Sequence, residues 1–443
     1  MNESVSAQRF VSRVPFFYGW IVVAVAFISM AIGVNARTSF SLLFPPILDE
    51  FGWDRATIAA TFSIGFVTST ILSPLVGALM DKYGPRFVIP LGATLTALGF
   101  YTATFSTEPW HFYLTLGTLV VGGSLFTSYI GHTAFLPNWF NRHRGLSIGL
   151  AFSGVGVGSI TLFPWMQSSI LTHGWRETSI SVAILLLVVL IPLNAICQRR
   201  KPHDLGLLPD GDDTPETDRG AGQKKLEEAR IVNAAWVATA WTLSNAIKTT
   251  RFWWVTLAFS SGLYAWYAVQ VHQTKFLIDV GISPGFAAVA LGLVGLTGIG
   301  GQIFVGHLSD KIGREWGWTV SLLGFLLTYL LLQVISVVPS EMMVYVMVGA
   351  QGFLGYGLAS VFGTVPAELF GGKRYGMIFG TLGAFAGIGA ALGPWITGWL
   401  FDLRGNYDLA FNVAVGMCLV SIAAMWLASP RKVRLVAGRV PGH

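Results

Sequence analysis

The feature that most constrains this chain is a series of twelve apolar runs, near 18–44, 57–79, 87–105, 112–136, 146–168, 178–197, 252–273, 286–308, 317–338, 342–367, 376–399 and 409–428. A bilayer hydrocarbon core of about 30 Å is crossed by roughly 20 helical residues, the length of these runs. In lipid only helices and closed barrels satisfy their backbone hydrogen bonds, and runs this continuous lack the alternation of barrel strands. The expected fold class is therefore an all-α membrane protein with twelve transmembrane helices. Composition agrees, with 11% charged residues where a soluble domain has about 25%. The first run is too long for a cleavable signal and no small-residue cleavage site follows it, so it is expected to remain as the first span.

Basic residues are distributed unevenly over the loops. All 28 Lys and Arg except Arg37, Arg55, Arg176, Lys275 and Arg404 fall on one side of the twelve runs, among them Arg9, Arg13, Lys82, Arg86, Arg142, Arg144, Lys311, Lys373 and Arg374. By the positive-inside rule both termini are expected to be cytoplasmic. The net charge of +6 is thereby accounted for by topology, and no nucleic-acid partner is expected. Cys197 and Cys418 have neither metal nor disulfide spacing and are read as packing residues. No metal or cofactor is expected.

The chain also repeats itself. Gly77, Asp81, Lys82 and Gly84 recur as Gly306, Asp310, Lys311 and Gly313, an offset of 229 residues, with Arg86 and Arg314 close behind. Pro137 to Gly145 is echoed by Pro366 to Gly376. Two copies of six spans in one orientation are parallel repeats, which place a solute site where they meet, near the bilayer midplane. The expected layout is a cytoplasmic tail at 1–17, six-helix bundles at 18–197 and 251–428, a cytoplasmic linker at 198–250 and a second tail at 429–443. From about Leu226 the linker turns helix-like, with Trp236, Ala240, Leu243 and Ile247 able to share one face of an interfacial helix; a loose loop is the competing reading.

The paired loops resemble the signature of the major facilitator superfamily, Gly-x-x-x-Asp-Arg/Lys-x-Gly-x-Arg. Within it, the stretch from Tyr18-Gly19-Trp20 and the loop Trp139-Phe140…Arg144-Gly145 are similar to the monocarboxylate porters and the oxalate:formate antiporter group. The resemblance covers the chain apart from its tails and linker. It implies a multi-pass carrier of the cell inner (plasma) membrane that works as a monomer by alternating access. It also implies a cytoplasmic gating motif of Gly77, Asp81, Gly84, Arg86, Gly306, Asp310, Gly313 and Arg314. The competing reading is that these charges only fix topology.

An ionisable side chain inside a span costs about 2.5–3.5 kcal/mol on insertion scales, so Arg37 is the first site candidate. Asn35, Thr38, Ser39 and Ser41 surround it with polar groups. A guanidinium there offers two parallel donors to a carboxylate, although Arg37 could also snorkel outward. The porters, as the resemblance has it, carry a basic residue near this point, and an Arg where this chain has Gln302. They have an Asp where it has Gly298, and residues 376–399 lack the Lys of the oxalate carriers. One carboxylate therefore suits the site better than two. Tyr129, His132, Tyr264, Tyr267, His272 and Tyr356 are the other substrate-binding candidates, each weighed against a packing role. Lys275 and Asp279, near His272, could pair at i, i+4.

No paired carboxylates or nucleophile elbow suggest an enzyme, and the glycines of Gly154-Val-Gly-Val-Gly158 read as helix packing. The preferred expectation is secondary active transport of a small organic anion, a monocarboxylate first, by alternating access with proton symport or anion exchange. The alternative is export of a larger, less charged metabolite or drug.

Overall fold

The computed structural model describes residues 16–133, 135–140, 144–209, 230–372, 375–436 and 439, with only the backbone at Pro74, Asp81, Ile130, Thr133, Pro137 and 144–146. Arg9, Arg13, Arg142, Lys373 and Arg374 lie outside the described residues. The described chain is helical, with twelve long segments. In the first half these are α1 Gly19–Phe51, α2 Arg55–Tyr83, α3 Pro85–Ala103, α4 109–133, α5 144–173 and α6 175–197. The second half contains α7 Thr250–Asp279, α8 Pro284–Ile312, α9 Arg314–Val337, α10 Glu341–Phe370, α11 Tyr375–Arg404 and α12 Asp408–Ala428. Eight helical stretches are long and apolar enough, by length and composition, to cross a membrane. One of them, Ser147–Cys197, is two helices joined at Gly174, where the backbone leaves helical geometry. Large apolar side chains stand on the outside, as in Ile71 at 72% and Val337 at 79% exposure. Such a surface suits lipid and not water.

The internal repeat is legible in local geometry. Helices α2 and α8 both stop at a glycine with positive φ, 74° at Gly84 and 118° at Gly313, which an L side chain would resist. Helices α4 and α10 both depart from α geometry in the same order. In α4 a π stretch Tyr113–Gly122 is followed by a 3-10 turn Gly123–Thr127, and in α10 Gly349–Leu354 is followed by Gly355–Gly357. Such irregular stretches recur at functional positions; here Tyr129 follows the 3-10 turn of α4 and Tyr356 lies inside that of α10.

The halves touch most along two crossings, α2 with α11 and α5 with α8, and both close at one end of the bundle only, where α1 also meets α7. On α11, an added Cβ at Gly398 would lie 2.8 Å from the Ala56 backbone and one at Gly387 2.5 Å from Thr70, whereas Gly383, Gly380 and Gly376 have nothing within 4 Å. On α5, Gly156 presses on Gly295 and Ile299, and Gly149 faces open space. The buried core repeats the pattern. At the closed end Val271, Ala288, Leu291, Ala390 and Ala391 of the second half join the core of the first. At the other end, among the described residues, the first half's core is built from its own helices, Tyr18, the α4–α5 connection at Trp139 and Phe140, and Leu205, without a residue of the second half. The bundle thus parts at the end that carries the paired motif loops.

Gly154 and Gly158 abut the backbone of α1 at Phe27 and Ala31, so this glycine run is a packing surface. The linker departs from the single expected helix. Residues 226–229 lie outside the described residues, and beyond them come two short helices, Ala234–Ala238 and Leu243–Ala246. Asn233 and Thr242 each cap one of these, so the backbone restarts twice. Trp236 and Trp241 pack on each other at 4.5 Å, and Trp241 meets Phe370 edge-on at 5.1 Å. The linker therefore leans on α10. Ile231 also forms an antiparallel bridge with Arg434 of the tail.

Candidate functional site

Arg37 sits in mid-α1, two residues before a break at Ser39, where the helix restarts at Phe40. Its guanidinium lies 5.5 Å from the Phe66 ring centre on α2 and 5.9 Å from that of Tyr267 on α7, so it faces both halves. The Nε atom is buried without a hydrogen-bond partner. Among the described residues no carboxylate pairs with Arg37. A half-buried guanidinium with idle donors is costly, and an anion arriving from the open end would relieve that cost.

Of the remaining candidates, the structure gathers four around this cation. Tyr129 feels the charge of Arg37 and interacts with Gln302 of α8. Tyr267 lies 4.3 Å from Phe66. Tyr356 stacks at 4.4 Å on Trp266 and lies within electrostatic range of Tyr267, Tyr129 and Arg37. Tyr129, Gln302, Tyr267 and Tyr356 come from α4, α8, α7 and α10, and all retain some accessible surface although they lie deep in the bundle. Neither Phe66 nor Trp266 stands out in the sequence, because one more aromatic residue in an apolar span carries no signal.

The other four candidates are engaged elsewhere. The Asn35 amide donates to Ala31 O at 2.7 Å and Val155 O at 2.8 Å, which ties α1 to α5. His132 is fully buried, with Nδ1 3.0 Å from Ser128 O and Nε2 unpartnered. Tyr264 lies in the core of the second half beside Tyr329.

His272 belongs to the closed end. Its Nε2 lies 2.8 Å from Pro394 O, a pure acceptor, so Nε2 carries the proton of the neutral ring. Nδ1 then accepts from the Tyr407 hydroxyl at 3.0 Å, and the same hydroxyl accepts from Arg55 at 2.6 Å. Arg55 lies 3.6 Å over the Phe401 ring and is paired with Asp279. Lys275 bridges Asp279 at 3.2 Å, the expected i, i+4 pair, and reaches across to Asp49 at 3.1 Å. Asp402 of α11 accepts from the backbone N–H groups of Arg55 and Ala56 at 3.0 and 2.8 Å. The local N-cap of α2, Asp54, makes no such bond, so the other half of the protein caps this helix. Ser41 with Thr274 at 2.8 Å and Gln270 with Thr38 at 3.2 Å complete the closure.

The motif loops sit at the open end. Arg86 donates through Nε to Ala195 O at 2.7 Å, holding the α2–α3 turn against α6. Arg314 pairs with Asp310 at 2.7 Å and with Glu368 at 3.0 Å, and Arg230 of the linker reaches the same Glu368 oxygen at 3.0 Å. A Cβ added at Gly306 would lie 3.4 Å from Ser360, while one at Gly77 would meet nothing within 4 Å. The side-chain contacts of Asp81 lie outside the described residues.

A family model described as the Major Facilitator Superfamily matches residues 19–361 and 276–441. The chain belongs to the Major Facilitator Superfamily. It is similar to monocarboxylate transporter 13 of Rattus norvegicus, at 28% identity over 90% of this chain and 86% of that protein. It is also similar to YcxA of Bacillus subtilis (strain 168), described as an uncharacterized MFS-type transporter, at 26% identity over 92% and 93% of the two chains. Among solved structures, the nucleoside transporter NupG shares the fold with a TM-score of 0.68 at 14% identity, over 93% of this chain and 100% of that one. This protein is accordingly a Major Facilitator Superfamily transporter, an integral multi-pass membrane protein and not an enzyme.

Proposed function

We propose that this transporter carries a small organic anion, with Arg37 as the carboxylate-binding group, by alternating access. The observation that supports this reading is the unpaired guanidinium at the meeting of the two halves, with a buried donor and no carboxylate among the described residues to satisfy it. One cation beside a neutral Gln302 suits one carboxylate, so a monocarboxylate is the preferred solute. The names of relatives such as monocarboxylate transporter 13 point the same way.

In this reading all twelve helices span the membrane and both termini are cytoplasmic, as the basic loops indicate. The open end then faces the cytoplasm, and the network of Arg55, Asp279, Lys275, Asp49 and Asp402 is the outer gate. The paired motif loops form the inner gate. Coupling is by proton symport or by exchange for another anion, in a monomer of the inner (plasma) membrane. The aromatic lining also fits export of a larger, less charged metabolite, the second reading. Uptake of labelled monocarboxylates by the purified protein in liposomes, with and without a pH gradient and with counter-anion inside, separates the two. Arg37→Gln should abolish carboxylate uptake without lowering the yield of folded protein. Undiminished uptake by that variant would remove Arg37 from the site.

A further inference from the structure

Opposite Arg37, the second half presents rings in place of charge. Tyr356 of α10 lies against α8 at Gly298, where an added Cβ would sit 2.6 Å from its Cδ2. Only a residue without a side chain leaves room for the ring in that position. Trp266 stacks on the ring of Tyr356 at 4.4 Å and an interplanar angle of 24°, and its own far neighbour is Phe325 at 5.4 Å. Tyr267 continues the surface to Phe66, 4.3 Å away, and so to the guanidinium. Trp266, Tyr267 and Tyr356 are neither buried nor exposed, so each keeps part of its surface accessible.

We infer that this wall, set by Tyr356 on Gly298 and backed by Trp266, selects monocarboxylates that carry a planar aromatic body over short aliphatic or hydroxylated ones. The inference rests on the proposal that Arg37 binds the carboxylate. With that group fixed, the rest of the solute extends toward α7 and α10. A benzene ring there meets aromatic faces at offset or edge-on geometry, which adds attraction beyond the area it removes from water. Lactate has no ring to set against these faces, and any hydrogen bond its hydroxyl gained here would only replace one already made to water. A second carboxylate would meet no cation there, only the neutral Gln302, and would be left unpaired. An aromatic contact of this kind corresponds to a preference of about ten-fold.

The test uses the full-length protein in liposomes and compares half-saturation concentrations for benzoate and phenylacetate with those for acetate and lactate. The aromatic acids should be favoured by about ten-fold. Tyr356→Leu removes the ring, and Gly298→Ala displaces it by placing a methyl group in its position. Each should lower the aromatic-to-acetate ratio several-fold. Because both acids are measured on one preparation, loss of folded protein cancels from that ratio. Equal or better handling of acetate and lactate by the unsubstituted protein would overturn the aromatic selectivity while leaving Arg37 as the anion site. Ratios unmoved by both variants would also overturn it. Failure of every acid, with counter-exchange included, would overturn the carboxylate reading beneath it.

Discussion

Helix α2 begins at Arg55 with a cap supplied by the other half of the molecule, and this makes outer closure measurable. Asp402→Ala removes acceptors 3.0 and 2.8 Å from the first two backbone N–H groups of α2 and leaves them to water. Loss of an N-cap acceptor costs about 1 kcal/mol, and loss of the negative charge at a helix N-terminus costs about 0.3–1 kcal/mol more, the lower part applying to an exposed carboxylate. Both contributions exist only while the two halves touch here, so the closed form alone is destabilised, by about 1–2 kcal/mol. The outward-accessible population should then rise about 5- to 30-fold.

Ser41, buried at 2% exposure and bonded across the interface to Thr274, reports on the opening. With Cys197 and Cys418 replaced by Ser, a cysteine at Ser41 is labelled from the outer face by a membrane-impermeant thiol reagent. Its labelling rate should rise by that factor when Asp402→Ala is added. Asp54→Ala serves as the control, because Asp54 makes no cap bond in this state, and should change the rate by no more than about two-fold. An Asp402→Ala rate no different from the control, in protein that still transports, would refute the argument that the trans cap holds the gate.

Two further substitutions test the closed end and the packing of the second half. His272→Ala strands the Tyr407 hydroxyl and Pro394 O in a site where the ring is only 1% exposed. It should cost about 1–3 kcal/mol and speed labelling at position 41; an unchanged rate would separate His272 from the gate. Gly389→Ala would place a methyl group against the Ser260 carbonyl of α7. Backbone cannot rotate aside, so a loss of about 1–3 kcal/mol is expected, and an unchanged thermal unfolding midpoint would count against this reading of the α7–α11 contact.

Much of the architecture was legible in the sequence because lipid leaves a chain few options. The apolar runs match helices in the structure, with α1 extending to Phe51 beyond the expected end at 44. The loop repeat at an offset of 229 reappears as paired glycine stops and as matching irregular stretches in α4 and α10. The linker was less legible. Its apolar residues suggested one amphipathic face, but Asn233 and Thr242 each cap a new short helix and the tryptophans dock on Phe370. Among the site candidates, Tyr129 and His132 are three residues apart, a spacing that puts them on one face of a regular helix. In the structure Tyr129 follows the 3-10 turn, bonds to Gln302 and feels the charge of Arg37, whereas His132 turns back to Ser128 O.

By itself the sequence determined that the protein is helical, lives in lipid, and is built twice over, with one cation stranded in its first apolar run. These are local properties, since hydropathy, charge and glycine spacing act within a few turns of the residue that carries them. Which groups stand around that cation was decided only by the fold. Arg55 and Asp402 are 347 residues apart, and Tyr356 owes its place to a glycine on another helix. Contacts of this kind depend on how whole helices cross, and the crossing angle is set by many small packing choices at once.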